Sequence, residues 1–200
     1  ENGTVVFPNE PVITVKAKII EAQLLETALL ACFNHGTLVT TAAKRITNEA
    51  GNIPVMEFGA RRARGIPSAT EASKYSYVGG CVGTSNVDAA IKYNIPAMGT
   101  MAHSWIMSHS SELEAFREYA KIYPQNAVFL IDTYDTLKSG IKNAIKAGAE
   151  LVEKGYNFGV RLDSGDIAYL TREVRKELDK AGFPQAKISV SNELTEEIIT

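Results

Sequence analysis

An α/β fold, with a parallel sheet buried between helices, is predicted by three features of this sequence. From Pro54 onward, apolar runs of about five residues alternate with helical patterns of about ten to fifteen, the texture of repeated βα units. The run Ala127-Val128-Phe129-Leu130-Ile131 is apolar on both faces, as a strand covered by helices on either side must be. Ser111 followed three positions later by Glu114 has the form of a capping box and fixes a helix start. A barrel and a doubly wound sheet both satisfy these features, and in either one the ligand sits at the C-terminal ends of the strands.

The N-terminal part reads differently. Residues 4–7 and 12–16 are rich in β-branched side chains and read as two short strands joined by Pro8-Asn9-Glu10-Pro11, a small β element. A helical pattern follows over about 17–33, with Ile20, Leu24, Ala28 and Ala31 on a broad apolar face, and Gly36 is expected to break it. A second helix over about 37–49 stops at Gly51-Asn52. Strands are then expected at 55–58, 77–82, 95–99, 127–131, 158–162 and 188–190, with helices near 68–75, 87–93, 112–122, 134–146 and 167–180. The sequence opens without a Met close to a strand and stops at Thr200 inside an unfinished helical pattern, so a piece of a longer protein is expected.

Composition narrows the function classes. An apolar content of 45% with 22% charged residues is that of an ordinary soluble domain, not of a disordered chain. A net charge of -2 with dispersed basic residues leaves no stripe for nucleic acid or a membrane surface. No apolar run approaches the roughly 18 residues of a spanning helix. Cys32 and Cys81 are far apart and make neither a disulfide framework nor a metal-ligand cluster, which fits a reducing cytoplasm. The three histidines form no zinc pattern, and no protein-bound metal site is expected.

The strand-end rule selects 59–64, 83–86, 100–105, 132–135, 163–166 and 191–193 as the places for chemistry. Gly159-Val160-Arg161-Leu162-Asp163-Ser164-Gly165-Asp166 is the most informative, because alternation along a strand puts Gly159, Arg161 and Asp163 on one face. A fixed cation and carboxylate ahead of a helix start suit an anionic or phosphorylated ligand. The same residues also suit a plainer arrangement in which Asp163, Ser164 or Asp166 caps the helix and Arg161 pairs with a neighbouring acid. Arg61, Arg62 and Arg64 repel one another unless an anion lies among them, and Phe58 offers a flat face to an aromatic ring; solvent arginines and a core phenylalanine are the alternative. Gly83-Thr84-Ser85-Asn86 leads into a helix as an anion-binding turn or as a simple cap. His103, directly after a strand, is the best placed histidine for a base, ligand or nucleophile.

Four motifs in this order, Phe58-Gly59-Ala60-Arg61-Arg62-Ala63, Val78 through Asn86, Thr100-Met101-Ala102-His103-Ser104 and Gly159 through Asp166, closely resemble the nicotinate phosphoribosyltransferase family over nearly the whole sequence. The resemblance implies an incomplete (β/α) barrel of the type II phosphoribosyltransferase kind over 53–200, linking helices over 18–52, and part of a β-rich domain over 1–17. It implies ATP-coupled transfer of phosphoribosyl from phosphoribosyl pyrophosphate, with Mg2+, to nicotinate. His103 is then the histidine that ATP phosphorylates, and Asp163 orients the ring or the developing ribosyl cation. Phe58 stacks on the pyridine, Arg61 faces the donor phosphates, and Thr100 and Arg161 hold nicotinate. Ser104 and Asp166 are further substrate-binding candidates. Ser85 stands where related nicotinamide enzymes carry an aspartate, and a serine can donate to a carboxylate that an aspartate would repel. The resemblance also implies a homodimer with the site completed across its interface. The family's first β-rich segment and later glycine-rich phosphate loop have no counterpart here, so these 200 residues alone are expected to be inactive. Quinolinate or nicotinamide phosphoribosyltransferases share fold and donor, and a non-catalytic phosphate-binding module is the alternative of a different class. The His103 motif argues against quinolinate and Ser85 against nicotinamide.

Overall fold

Leucine, alanine and other straight-chain residues dominate the stretch after Lys18, and they form one continuous helix, α1 (Ile19–Ala50), of 32 residues or ~48 Å. In the computed structural model, residues 2–192 and 194–199 are described. They gather into two units, Glu1–Gly99 with Leu194–Thr200, and Thr100–Glu193.

In the first unit α1 is followed by β1 (Met56–Glu57), a 3-10 turn (Ala60–Arg62), α2 (Ile66–Val78), β2 (Gly83–Thr84) and α3 (Val87–Tyr93). The expected break at Gly36 does not occur. Gly36 is buried where α1 packs on α2, and a Cβ there would meet ring carbons of Tyr75 at 3.0 Å, so the glycine serves close approach and not helix termination. Thr47 tightens the same contact by donating to the Gly79 carbonyl at 2.8 Å.

β1 and β2 are parallel, with Met56 opposite Gly83 and Glu57 opposite Thr84. The strand expected at 77–82 therefore lies further on: Tyr77 and Val78 end α2, and the chain turns through Gly79-Gly80 before pairing. A short apolar run does not by itself distinguish a helix end from a strand, and here the paired glycines decided the matter. The strand expected at 95–99 is reduced to a parallel bridge between Thr84 and Ala97. The strands expected at 4–7 and 12–16 are not formed. Val5 is 74% and Phe7 66% exposed, and the bend between the runs is ordered by the Glu10 N–H to the Phe7 carbonyl at 3.2 Å and the Phe7 N–H to the Glu10 carboxylate at 2.9 Å. Two short runs interrupted by prolines, with no third strand and no covered apolar face, gain too little to pair.

The second unit runs α4 (His103–Met107), α5 (Glu112–Ile122), β3 (Ala127–Leu130), α6 (Ile141–Val152), β4 (Phe158–Leu162), α7 (Ile167–Lys180) and β5 (Lys187–Val190). Its sheet is parallel in the order β3-β4-β5, as the doubly apolar strands require. Phe129, Leu130, Val160 and Leu162 are fully buried in the sheet, against Phe116 of α5, Ile141 of α6, and Val174 and Leu178 of α7. The Phe116 and Phe129 rings stack at 5.0 Å. The Ser111 cap accepts the Glu114 N–H at 3.2 Å as expected, while Glu114 reaches the Ser110 N–H at 3.2 Å. The helix expected over 134–146 begins instead as a π-turn (Thr136–Gly140), capped by Asp135, and continues as α6.

Candidate functional site

Register brings the C-terminal ends of β3, β4 and β5 side by side. Leu130 lies opposite Arg161, and Leu162 opposite Val190, so Asp132, two residues past Leu130, emerges level with Asp163 and Ser191, the residues that follow Leu162 and Val190. Arg161, the last residue but one of β4, is gripped on three sides. Its Nε donates to the Ser191 hydroxyl at 2.9 Å, Nη1 to the Thr100 hydroxyl at 2.7 Å and Nη2 to Asp163 Oδ1 at 2.7 Å. The Ser191 hydroxyl also donates to Asp163. The ion pair is 13% and 14% exposed. Burial would push the Asp163 carboxyl up, but the Ser191 hydroxyl and the Arg161 guanidinium outweigh it and hold the group below the usual carboxylate range. A largely desolvated pair of this kind is weak evidence for stability and a good device for holding a planar cation in one orientation.

Asp132 is the hub behind this cluster. Its side chain is 2% exposed; Oδ2 accepts the Asp163 N–H at 2.9 Å and the Ser164 hydroxyl at 2.5 Å, and Oδ1 faces His103 Nε2 at 3.2 Å. A carboxylate oxygen accepts, so the ring proton sits on Nε2 and the Nδ1 lone pair is available. His103 begins α4 and its side chain is 40% exposed, so one edge of the ring is held while the other stays accessible. The second unit thus gathers Thr100, His103, Arg161 and Asp163 in one hydrogen-bonded cluster. Ser104 is exposed in the first turn of α4, and Asp166 is the N-cap of α7, accepting the Tyr169 N–H at 2.9 Å.

Phe58, Arg61 and Ser85 belong to the first unit. β1 delivers Phe58 and β2 delivers Ser85, whose N–H donates to the Glu57 carbonyl at 3.0 Å, so the two turns leave one parallel pair side by side. Arg61 and Arg62 are exposed on the 3-10 turn. A cavity of about 580 Å³ lies beside them, lined among others by Ala60, Ala63, Thr70, Ser85 and Asn86. Asn86 caps α3 by accepting the Ala89 N–H at 3.3 Å. Burial, and then the charge of Glu57, pushes the Cys81 thiol up to about 11, so this sulfur is a neutral core group and not a nucleophile.

Three residues that organise these clusters were not among the expected site residues. Asp132 and Ser191 did fall within the strand-end segments 132–135 and 191–193, where position alone did not separate them from their neighbours; Glu193 lies outside the described residues. Glu57 read only as the end of a strand. Among the described residues no group of three or more His, Cys, Asp or Glu is placed to hold a metal ion.

Parallel strands whose C-terminal ends carry a locked guanidinium, an oriented histidine and the Asp132 and Asp163 carboxylates define an α/β protein with its polar groups gathered at the strand ends. The chain belongs to the nicotinate phosphoribosyltransferase (NAPRTase) family, whose model matches residues 53–190. It is 45% identical over 199 residues to the nicotinate phosphoribosyltransferase of Bacillus subtilis, covering 100% of this chain and 40% of that protein. It is 39% identical over 246 residues to that of Dictyostelium discoideum, covering 100% of this chain and 42% of the relative. The crystal structure of human nicotinic acid phosphoribosyltransferase superposes with a TM-score of 0.86 at 31% identity, over 98% of this chain and 50% of that one. A nicotinate-nucleotide pyrophosphorylase from Pyrococcus furiosus follows at a TM-score of 0.71 and 31% identity, over 82% and 43%. The chain thus spans about two fifths of the length of these curated relatives.

Proposed function

We propose that this chain is the central part of an enzyme that transfers phosphoribosyl from phosphoribosyl pyrophosphate to nicotinate, giving nicotinate mononucleotide and pyrophosphate in NAD salvage, with ATP hydrolysis coupled to the transfer. The observation that carries the reading is the Arg161 cluster with His103 beside it, in a chain of this family. Residues 1–17 are read as part of a β-rich domain, 18–52 as a link, and 53–200 as the first part of an incomplete barrel. The full-length protein is read as a cytoplasmic homodimer whose partner subunit completes the site.

In this reading His103 Nδ1 attacks the γ-phosphorus of ATP; the bond to the bridging oxygen breaks and ADP leaves. Asp132 holds the Nε2 proton and balances the cationic ring that forms. The phosphohistidine places negative charge beside the donor and helps order it; Mg2+ enters bound to the donor's pyrophosphate, as part of the substrate. The nicotinate ring nitrogen then displaces pyrophosphate at the ribosyl carbon. Thr100 and Arg161 hold the nicotinate carboxylate, and Asp163, kept ionised by its neighbours, faces the positive charge that develops. Phe58 stacks on the pyridine, Arg61 faces the donor phosphates, and Ser85 favours nicotinate over its carboxamide. Ser104 and Asp166 are secondary contacts, Asp166 in addition to its capping role.

The test is His103→Ala in the full-length enzyme. ATP stimulation and ATP hydrolysis are expected to vanish while slow, ATP-independent transfer persists. Undiminished ATP stimulation in this variant overturns the phosphohistidine assignment.

A further inference from the structure

We propose that Glu57 is a positioning residue that holds the Phe58–Arg61 turn and the Ser85 turn in register, an inference that rests on the functional reading of those turns. The carboxylate sits at the end of β1 and accepts from three donors among the described residues. Oε1 accepts the Gly59 N–H; Oε2 lies 2.9 Å from the Ser73 hydroxyl of α2 and 2.6 Å from the Thr84 hydroxyl of β2. Ser73 and Thr84 are both buried; the Ser73 hydroxyl also lies 3.0 Å from the Ala69 carbonyl, whereas the Thr84 hydroxyl has no water as a substitute acceptor.

Two of these donors are tied to a turn. The Gly59 carbonyl accepts the Arg62 N–H at 2.9 Å, so Gly59, which starts the arginine turn, is held through its N–H by Glu57 and through its carbonyl by Arg62. The Thr84 oxygen, while donating to Glu57, accepts the Asn86 N–H at 3.0 Å. The Glu57 main-chain carbonyl takes the Ser85 N–H at 3.0 Å. One residue therefore anchors both turns through its side chain and its backbone, without being assigned any contact to a substrate.

The chemistry of the network requires a carboxylate. A glutamine offers one acceptor and one donor group: with its NH2 toward Gly59 it opposes that N–H, and with its NH2 toward the hydroxyls it leaves the Thr84 proton without its acceptor, while Ser73 can turn its own proton to the Ala69 carbonyl at 3.0 Å. Glu57→Gln keeps the shape and breaks the match. Glu57→Asp keeps two acceptors on a shorter stem.

The experiment uses the full-length protein, with steady-state kinetics for nicotinate and the ribosyl donor, ATP hydrolysis without nicotinate, and amide hydrogen exchange. In Glu57→Gln the KM for nicotinate is expected to rise roughly tenfold or more, since displacing a positioning contact by an ångström can cost up to about a hundredfold. Amides of Gly59 and Asn86 exchange faster, ATP hydrolysis without nicotinate stays at the parent rate, and Glu57→Asp recovers part of the KM. A parent-like KM with unchanged exchange overturns the proposal. So does a loss shared equally by KM, kcat and ATP hydrolysis, which marks a purely structural carboxylate. If the unsubstituted protein makes no product from nicotinate, the functional reading fails, and the exchange rates at Gly59 and Asn86 still decide whether Glu57 holds the turns.

Discussion

Replacing Asp132 by asparagine separates the structural from the chemical use of the buried hub. The carboxylate accepts from three groups, but they differ in what they lose. His103 and Ser164 are open enough to find water, whereas the Asp163 N–H is partly buried. A hydrogen bond to a charged group contributes ~1.5–3 kcal/mol, and an unsatisfied buried donor costs ~1–3 kcal/mol. Asp132→Ala leaves that N–H unpaired and is expected to cost ~2–4 kcal/mol. In Asp132→Asn the amide oxygen keeps the Asp163 N–H and the Ser164 hydroxyl, so the stability cost falls to ~1–2 kcal/mol. The amide NH2 then faces His103 Nε2, which must accept, and the ring proton moves to Nδ1. A histidine fixed in the wrong tautomer loses its nucleophile, and phosphohistidine formation is expected to slow roughly a hundredfold or more. The assay is acid-labile, base-stable phosphate incorporation from γ-labelled ATP, alongside urea unfolding. If Asp132→Asn folds normally and phosphorylates at the parent rate, Asp132 does not set the histidine and the argument from geometry is wrong.

Two further outcomes are expected. Ser85→Asp exchanges the serine proposed to favour nicotinate for a carboxylate that would repel it; it should raise the KM for nicotinate by roughly tenfold, a cost of ~1.4 kcal/mol, and leave the ribosyl donor less affected. Unchanged nicotinate kinetics in this variant remove Ser85 from the selectivity argument. Asp163 titrates below its unfolded value, so the unfolded chain binds more protons in that window. Its contribution to stability is complete above about pH 4 and is lost as pH falls through the folded pKa. Asp163→Asn should flatten this acid limb in urea unfolding between neutral pH and about pH 2, and an identical limb in both proteins contradicts the assignment.

Much of the second unit, and α3 of the first, was legible because the signals there are local. The helices Val87–Tyr93, Glu112–Ile122 and Ile167–Lys180, and the strand Phe158–Leu162, stand where periodicity, the Ser111 cap and the Asn86 turn put them. The contact of Arg161 with Asp163 follows from the period of a strand, which sets residues two apart on one face. The failures are tertiary. Gly36 looks like a helix breaker until Tyr75 is packed against it, and Tyr77-Val78 looks like a strand until Gly79-Gly80 is seen to end a helix. The N-terminal runs had strand composition without a partner. In the site, Thr100 meets Arg161 across 61 positions and Asp132 meets Asp163 across 31, distances over which spacing carries no information. Glu57 was hidden for another reason: its role depends on three donors from three segments that spacing does not bring together.

The most direct measurement is product formation by the full-length protein, offered nicotinate, nicotinamide or quinolinate in turn with phosphoribosyl pyrophosphate and Mg2+, with and without ATP. Nicotinate mononucleotide, formed in preference to the other products and stimulated by ATP, is the predicted result. Preference for nicotinamide or quinolinate, or saturable binding of the ribosyl donor with neither turnover nor ATP hydrolysis, contradicts it.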